Sequence, residues 1–250
     1  MKIVLVNGSI RKGATYKALQ LIEKTLKELG DYEFEYIHMV DTELNYCKSC
    51  FQCFIKDESK CFQYDKSYTF KNQLLQADGI IFSSPVYAMN ISGAMKNFID
   101  SITYLFHRPE FQTKKGMAVS TTMGSSAKSS AEYLKSVLKA FGVNDCSTLA
   151  VTQFGQSIDT SDKLQKQIIK AATHYHKMLN KPAKSPSLKD VLWFNMWKAS
   201  TQITKEKDYE HWKSLGWYNS SYYFDIKINP IKKLIGFITY KFLRMVMPSR

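Results

Sequence analysis

Lys2-Ile3-Val4-Leu5-Val6 is an apolar run of strand length that stops abruptly. Asn7-Gly8-Ser9-Ile10-Arg11-Lys12-Gly13-Ala14-Thr15 follows, rich in small and hydroxyl residues and carrying two cations. From there apolar residues recur at helical spacing, at Ala18, Leu19, Ile22, Leu26 and Leu29. A strand, a loop of small residues and a helix make a cradle for an anion. The loop N–H groups and the positive end of the helix dipole converge on one point. The loop lacks the glycine and lysine pattern of a nucleoside-triphosphate loop and the G-x-G-x-x-G of a dinucleotide site. Its hydroxyls at Ser9 and Thr15 and its cations at Arg11 and Lys12 suit a terminal phosphate monoester, whose three exposed oxygens need more donors. Read alone, the same residues also describe a capped helix start with solvated cations.

The strand-then-helix alternation repeats to about residue 180. Expected strands are Lys2–Val6, Glu33–His38, Gly79–Phe82, Lys115–Ser120 and Asp145–Thr152. Expected helices are Thr15–Leu29, Lys66–Gln76, Ser92–Phe106, Ser126–Phe141 and Asp159–Leu179. Five strands separated by such helices predict an α/β fold, a doubly wound five-stranded parallel sheet with right-handed crossovers and helices on both faces.

Two further loops follow strands. Ser84-Pro85-Val86-Tyr87-Ala88-Met89-Asn90 comes after the third, and Pro85 stiffens it by fixing its own φ and extending Ser84. Thr121-Thr122-Met123-Gly124-Ser125 comes after the fourth; alone it reads as a turn capped by Ser125 or Ser126. Ligands of open α/β sheets bind at the carboxyl ends of the strands, beside the switch in strand order.

Gly8-Ser9-Ile10-Arg11-Lys12-Gly13-Ala14-Thr15 resembles the G-S-P-R-K-x-x-x-T phosphate loop of the NADPH-dependent FMN reductases, a flavodoxin-like group. Ser84-Pro85-Val86-Tyr87 with Asn90 through Phe98, including Lys96 and followed by Asp100, resembles that family's flavin loop. Ile10 stands where the family usually has Pro, and the loop is about one residue shorter before Thr15. The resemblance covers residues 1–180. It implies a non-covalently bound FMN, with Ser9, Arg11, Lys12, Ala14 and Thr15 on the phosphate. Pro85, Val86, Tyr87, Asn90, Thr121, Thr122 and Gly124 would frame the ring. It implies an oxidoreductase that takes hydride from NAD(P)H, a transient cosubstrate, and reduces flavin, a quinone or a similar small-molecule acceptor. A homodimer is expected, since family members commonly pair. No acid–base constellation stands out, and none of the five His is given a catalytic role.

Cys47, Cys50, Cys53 and Cys61 form C-x2-C-x2-C-x7-C. Compact thiolate sets of this kind hold [4Fe–4S] clusters; structural zinc more often uses two separated pairs. The arrangement also resembles the iron–sulfur flavoproteins, which place a compact cysteine motif between the second and third strands. That branch implies the rival function, an electron carrier between redox partner proteins. Reduced thiols without metal are the plain alternative. Cys146, in an expected strand, reads as a core thiol.

The chain has 250 residues and a net charge of +13. No signal sequence and no apolar stretch of about 18 residues is found, so the cytoplasm is expected. The composition changes after Asn180. Residues 181–187 read as a linker, dividing a domain at 1–180 from a basic, aromatic-rich helical extension at 181–250. The extension holds thirteen Lys and Arg against five Asp and Glu, and all four Trp. No nucleic-acid motif accompanies the charge. Residues 231–247 read as a basic amphipathic helix, with Ile231, Leu234, Ile235, Ile238, Phe242, Met245 and Val246 on one face. That face is expected to pack on the protein's own body, with peripheral contact at an anionic membrane as the alternative.

Overall fold

The computed structural model describes residues 1–204 and 207–247. Strand β1 (Lys2–Asn7) leads through the first loop into helix α1 (Ala14–Leu29), then β2 (Glu33–His38) and the short α2 (Gln52–Ile55). Helix α3 (Tyr64–Gln76), β3 (Gly79–Tyr87), β4 (Asn90–Ile91), α4 (Gly93–Ser101) and β5 (Lys115–Thr122) follow. The sheet is completed by α5 (Ala127–Ala140), β6 (Asp145–Thr152) and α6 (Asp162–Leu179). The extension contains α7 (Leu188–Thr204), α8 (Lys207–Ser214) and α9 (Pro230–Val246).

The sheet runs β2-β1-β3-β5-β6, all parallel, with β4 returning antiparallel on the end of β3. The order reverses between β1 and β3, which pair from Ile3↔Gly79 to Asn7↔Ser83. That is the switch point of a flavodoxin-like sheet. The five expected strands are all present, and β3 and β5 run farther than expected. Three differences stand out. Asn90–Ile91 forms a strand, pairing Val86↔Ile91 and Tyr87↔Asn90. The helix expected over 92–106 ends at Ser101, and a 3-10 turn covers Thr103–Phe106. Gln52–Ile55 makes a single helical turn within the cysteine segment.

Alternation along β1 explains the two cores. Ile3 and Leu5 face α1 and α6, joining Leu19, Ile22, Leu26, Ile168 and Tyr175. Val4 and Val6 face the other way, toward Leu74, Phe98, Leu134 and Leu138 of α3, α4 and α5. Central strands buried on both faces read as continuous apolar runs, which is why they were legible. At the far end of the sheet Lys115 Nζ donates to Asn144 Oδ1 at 3.1 Å and to the Pro182 carbonyl at 3.0 Å. Asn144 exchanges two further hydrogen bonds with the Lys184 backbone, at 2.7 and 3.0 Å. Residues 181–187 are therefore pinned along the sheet's base rather than slack.

The extension has its own aromatic core of Phe194, Trp212, Trp217 and Tyr222. Trp212 Nε1 donates to the His107 carbonyl at 2.7 Å, joining that core to the sheet unit. Beside it lies a buried ionic group. Asp208 meets His107 Nδ1 at 2.6 Å and Arg108 Nη1 at 3.2 Å. Arg108, 1% exposed, also approaches Glu58 at 3.3 Å and donates to the Cys53 carbonyl at 2.6 Å. The His107 ring lies between Phe54 and Trp197, at 4.3 and 4.1 Å. The expectation that the face from Ile231 to Val246 packs on the protein's own body is overturned. Helix α9 packs on α7 through Gly236, its one buried residue, and the larger apolar face stays exposed.

Candidate functional site

Three loops meet at the carboxyl edge of the sheet because β1, β3 and β5 are consecutive neighbours there. In the first, Ser9 N donates to Asn7 Oδ1 at 3.2 Å, and Ser9 Oγ donates to the Arg11 carbonyl at 2.8 Å. These bonds curl the loop around its own hydroxyl. Gly8 lies where no side chain fits: a Cβ would stand 2.7 Å from Met95 Cβ and 2.8 Å from the Ser83 carbonyl. Helix α1 is preceded by Gly13 as its N-cap, with no side-chain cap bond and no carboxylate in the first turn. Its leading N–H groups thus lack an internal partner and sit beside two exposed cations, Arg11 and Lys12.

The second loop is set by Ser84 and Ser92. Ser92 N donates to Ser84 Oγ at 2.8 Å, and Ser92 Oγ donates to the Gly8 carbonyl at 2.6 Å. Ser92 also caps α4 through Met95 N. The hairpin tip, Ala88 and Met89, takes left-handed backbone at φ 45° and 66°. In the third loop Gly124 N donates to Thr122 Oγ1 at 3.2 Å, and Phe154 N donates to the Met123 carbonyl at 3.0 Å. Ser126 precedes α5 without a side-chain cap bond, so the simple capped-turn reading of this loop is not realised.

Two side-chain bonds tie the loops together. Arg11 Nη2 donates to Tyr87 Oη at 3.1 Å, and the hydroxyls of Thr15 and Thr121 lie 2.7 Å apart. Ser9, Arg11, Thr15, Tyr87 and Thr121 are thus brought together. Lys12 and Ala14 lie on the same loop, and Pro85, Val86 and Asn90 on the hairpin. The Asn90 side chain turns onto its own backbone, accepting from Ile91 N at 2.8 Å. Tyr87, half exposed, is not a core residue. Met89, Met123 and Phe154 are also exposed, so the loops form an open apolar shelf rather than a closed pocket. Phe154 was not anticipated; no local pattern distinguishes it from a loop aromatic. Two concavities lie elsewhere. One of about 410 Å³ runs beside β2 and α3, and one of about 540 Å³ lies at the opposite end of the sheet, near Lys115 and Cys146. Neither carries the donor set of the loops.

All four clustered cysteines are free thiols, within one segment between β2 and α3. Asn97 of α4 holds that segment, accepting from Cys47 N at 3.3 Å and donating to the Leu44 and Asn45 carbonyls. Ser49 and Phe51 take left-handed backbone at φ 50° and 57°, so the segment is tightly wound. Burial, reinforced by the neighbouring Cys61 thiol, pushes the Cys53 thiol up to about 11, with Arg108 opposing. Among the described residues, no three His, Cys, Asp or Glu side chains are gathered tightly enough to hold a metal ion. Cys146 is a core thiol, as expected, pushed up to about 12 by burial.

The family description for NADPH-dependent FMN reductases matches residues 1–156. The chain therefore belongs to the NADPH-dependent FMN reductase family of flavin-dependent oxidoreductases. Its curated relatives are iron–sulfur flavoproteins. One from Archaeoglobus fulgidus is 35% identical over 57% of this chain, a match spanning 64% of the relative. One from Clostridioides difficile is 28% identical over 86% of this chain and 96% of the relative. Among solved structures, an apo NADH:FMN oxidoreductase shares the fold with a TM-score of 0.56 at 20% identity, covering 72% of this chain and 90% of the other. An azoreductase from Bacillus anthracis does so at 0.53 and 17%, covering 72% and 99%. Among the described residues no helix is long and apolar enough to cross a membrane.

Proposed function

We propose that the protein binds FMN on the three-loop shelf and a [4Fe–4S] cluster on its cysteine segment, and passes electrons between redox partners. The observation that carries the flavin site is the convergence of the loops through the Arg11–Tyr87 and Thr15–Thr121 bonds. The uncapped start of α1 fits a phosphate: its N–H groups, the Ser9 and Thr15 hydroxyls and the Arg11 and Lys12 cations form one donor set. Ala14, the first residue of α1, contributes a backbone N–H. Pro85, Val86, Tyr87 and Asn90 would frame one side of the ring, and Thr121, Thr122 and Gly124 its polar edge. FMN when bound supplies both one- and two-electron chemistry. The protein's own residues hold it, orient it and leave one face open on the shelf.

Cys47, Cys50, Cys53 and Cys61 would be the cluster ligands. What supports this is their donor chemistry, their confinement to one wound segment, and the iron–sulfur flavoprotein relatives; the described positions of the thiols are not themselves gathered for a metal, so binding would have to draw them together. Asn97 links the two sites, since its helix begins where the flavin hairpin ends.

The second reading is an NAD(P)H-dependent reductase of small acceptors, without a cluster. It is favoured by the open shelf, which leaves room for a nicotinamide to dock. One experiment separates them. Protein purified without oxygen is examined by absorption and assayed for iron and sulfide. A flavin band near about 450 nm with a red-extending shoulder, bleached by dithionite and lost in Cys47→Ala, supports the carrier. A pure flavin spectrum with rapid NADPH oxidation supports the reductase. No flavin uptake refutes both.

A further inference from the structure

We propose that α9 is a membrane-surface element that lays its outward face on an anionic lipid bilayer. The helix is anchored by its opposite side. A Cβ on Gly236 would come within 2.6 Å of Asn195 Nδ2 and Val191 Cγ1, so the backbones of α7 and α9 approach closely there. Tyr240 Oη donates to Gln202 Oε1 at 2.7 Å, and Lys232 Nζ donates to the Pro186 carbonyl at 3.1 Å. With α9 held this way, Ile231, Leu234, Ile235, Ile238, Phe242 and Met245 point outward, between 37% and 77% exposed. Their spacing of three and four makes one continuous stripe. A helix of 17 residues presents it over about 26 Å. Scattered exposed apolar residues are ordinary; a continuous stripe marks a surface made for contact.

The charges beside the stripe select the occupant. Lys233, Lys241 and Arg244 are exposed along one edge, and Lys241 sits over the Phe237 ring at 5.5 Å. No Asp or Glu follows Asp225 in the chain. A second copy docking stripe to stripe would bring like cations together with no carboxylate on α9 to offset them. An anionic bilayer offers what both parts of the face require. Its acyl boundary takes the apolar stripe and its headgroups take the cations, an arrangement for lying on the surface rather than crossing it.

The test uses the full-length protein in vesicle flotation. Vesicles are pure phosphatidylcholine, or phosphatidylcholine with about one third phosphatidylglycerol. Binding is expected to be at least about tenfold stronger on anionic vesicles and to collapse as added salt shortens the Debye length from about 10 to about 3 Å. Each exposed cation contributes about fivefold, so Lys233→Gln, Lys241→Gln and Arg244→Gln together lose about a hundredfold. Ile238→Asp, at an exposed position, removes binding while far-UV circular dichroism stays unchanged. Equal affinity for both vesicle types, or none for either, overturns the proposal. So does a dimer in light scattering that Ile238→Asp dissociates without any vesicle binding by the parent; that result assigns the stripe to a second copy.

Discussion

Asp208→Asn removes one charge from the only buried ionic group that bridges the sheet unit and the extension among the described residues. Asp208 is 5% exposed and stands 2.6 Å from His107 Nδ1 and 3.2 Å from Arg108 Nη1. Arg108 keeps Glu58 at 3.3 Å and the Cys53 carbonyl at 2.6 Å, so the guanidinium loses one of two counter-charges. Breaking a buried pair by removing one partner costs about 3–5 kcal/mol; the remaining Glu58 places this change at about 3 kcal/mol. All four Trp lie in the extension, so denaturation followed by tryptophan emission reports its docking, while far-UV circular dichroism reports the helices of both units. The expected result is a urea midpoint that falls first in fluorescence. Arg108→Met, Asp208→Leu and Glu58→Leu together restore much of the loss, because apolar replacements of similar volume then leave neither the guanidinium nor either carboxylate unpaired. The pairwise term is read from Arg108→Met and Asp208→Leu, singly and combined. The double-mutant coupling is expected at about 1–3 kcal/mol. A loss under about 1 kcal/mol, or a coupling near zero, refutes the claim that this pair docks the extension.

Three other outcomes are expected. Arg11→Met weakens FMN binding about tenfold by calorimetry, the value of one charge-assisted hydrogen bond at an exposed position; an unchanged dissociation constant would move the phosphate off this loop. Gly236→Ala forces a Cβ to within 2.6 Å of Val191 and Asn195 and lowers the extension's stability by about 1–3 kcal/mol, read from its fluorescence midpoint. His211 is held down to about 4 by burial and then by Arg108. Between its unfolded value near 6.5 and about 4 the unfolded chain binds a proton that the native chain refuses, so stability falls as pH falls, by up to about 3 kcal/mol. His211→Gln flattens that acid limb relative to the parent; parallel pH curves for the two would exclude His211 as its source.

The α/β order was legible because buried parallel strands and amphipathic helices each leave a periodic signature in the chain. The loops were legible because small, hydroxyl and proline residues after a strand have few other uses. The two-residue β4 was not, since its pairing depends on the hairpin tip folding back at Ala88 and Met89. The linker composition of residues 181–187 concealed their hold on Asn144 and Lys115, some forty and sixty-seven positions away. Asp208 and Arg108 are a hundred positions apart, and no local pattern pairs them. The amphipathic pattern of α9 was visible, but not which side would meet the body. Gly236 decided that by permitting a closer backbone approach than any side chain allows.

Arg108 has a consequence for how the parts of the molecule communicate. One guanidinium touches the Cys53 carbonyl, Glu58 and Asp208, and so joins the cysteine segment to the extension through a single rigid plane. The two are then thermodynamically linked. Whatever displaces the Cys53 carbonyl changes the free energy of seating the extension, and seating the extension changes by the same amount the free energy of what occurs at Cys53. The backbone of the cysteine segment and the seat of α8 thus share one buried cation, two residues a hundred and fifty-odd positions apart meeting on the same side chain.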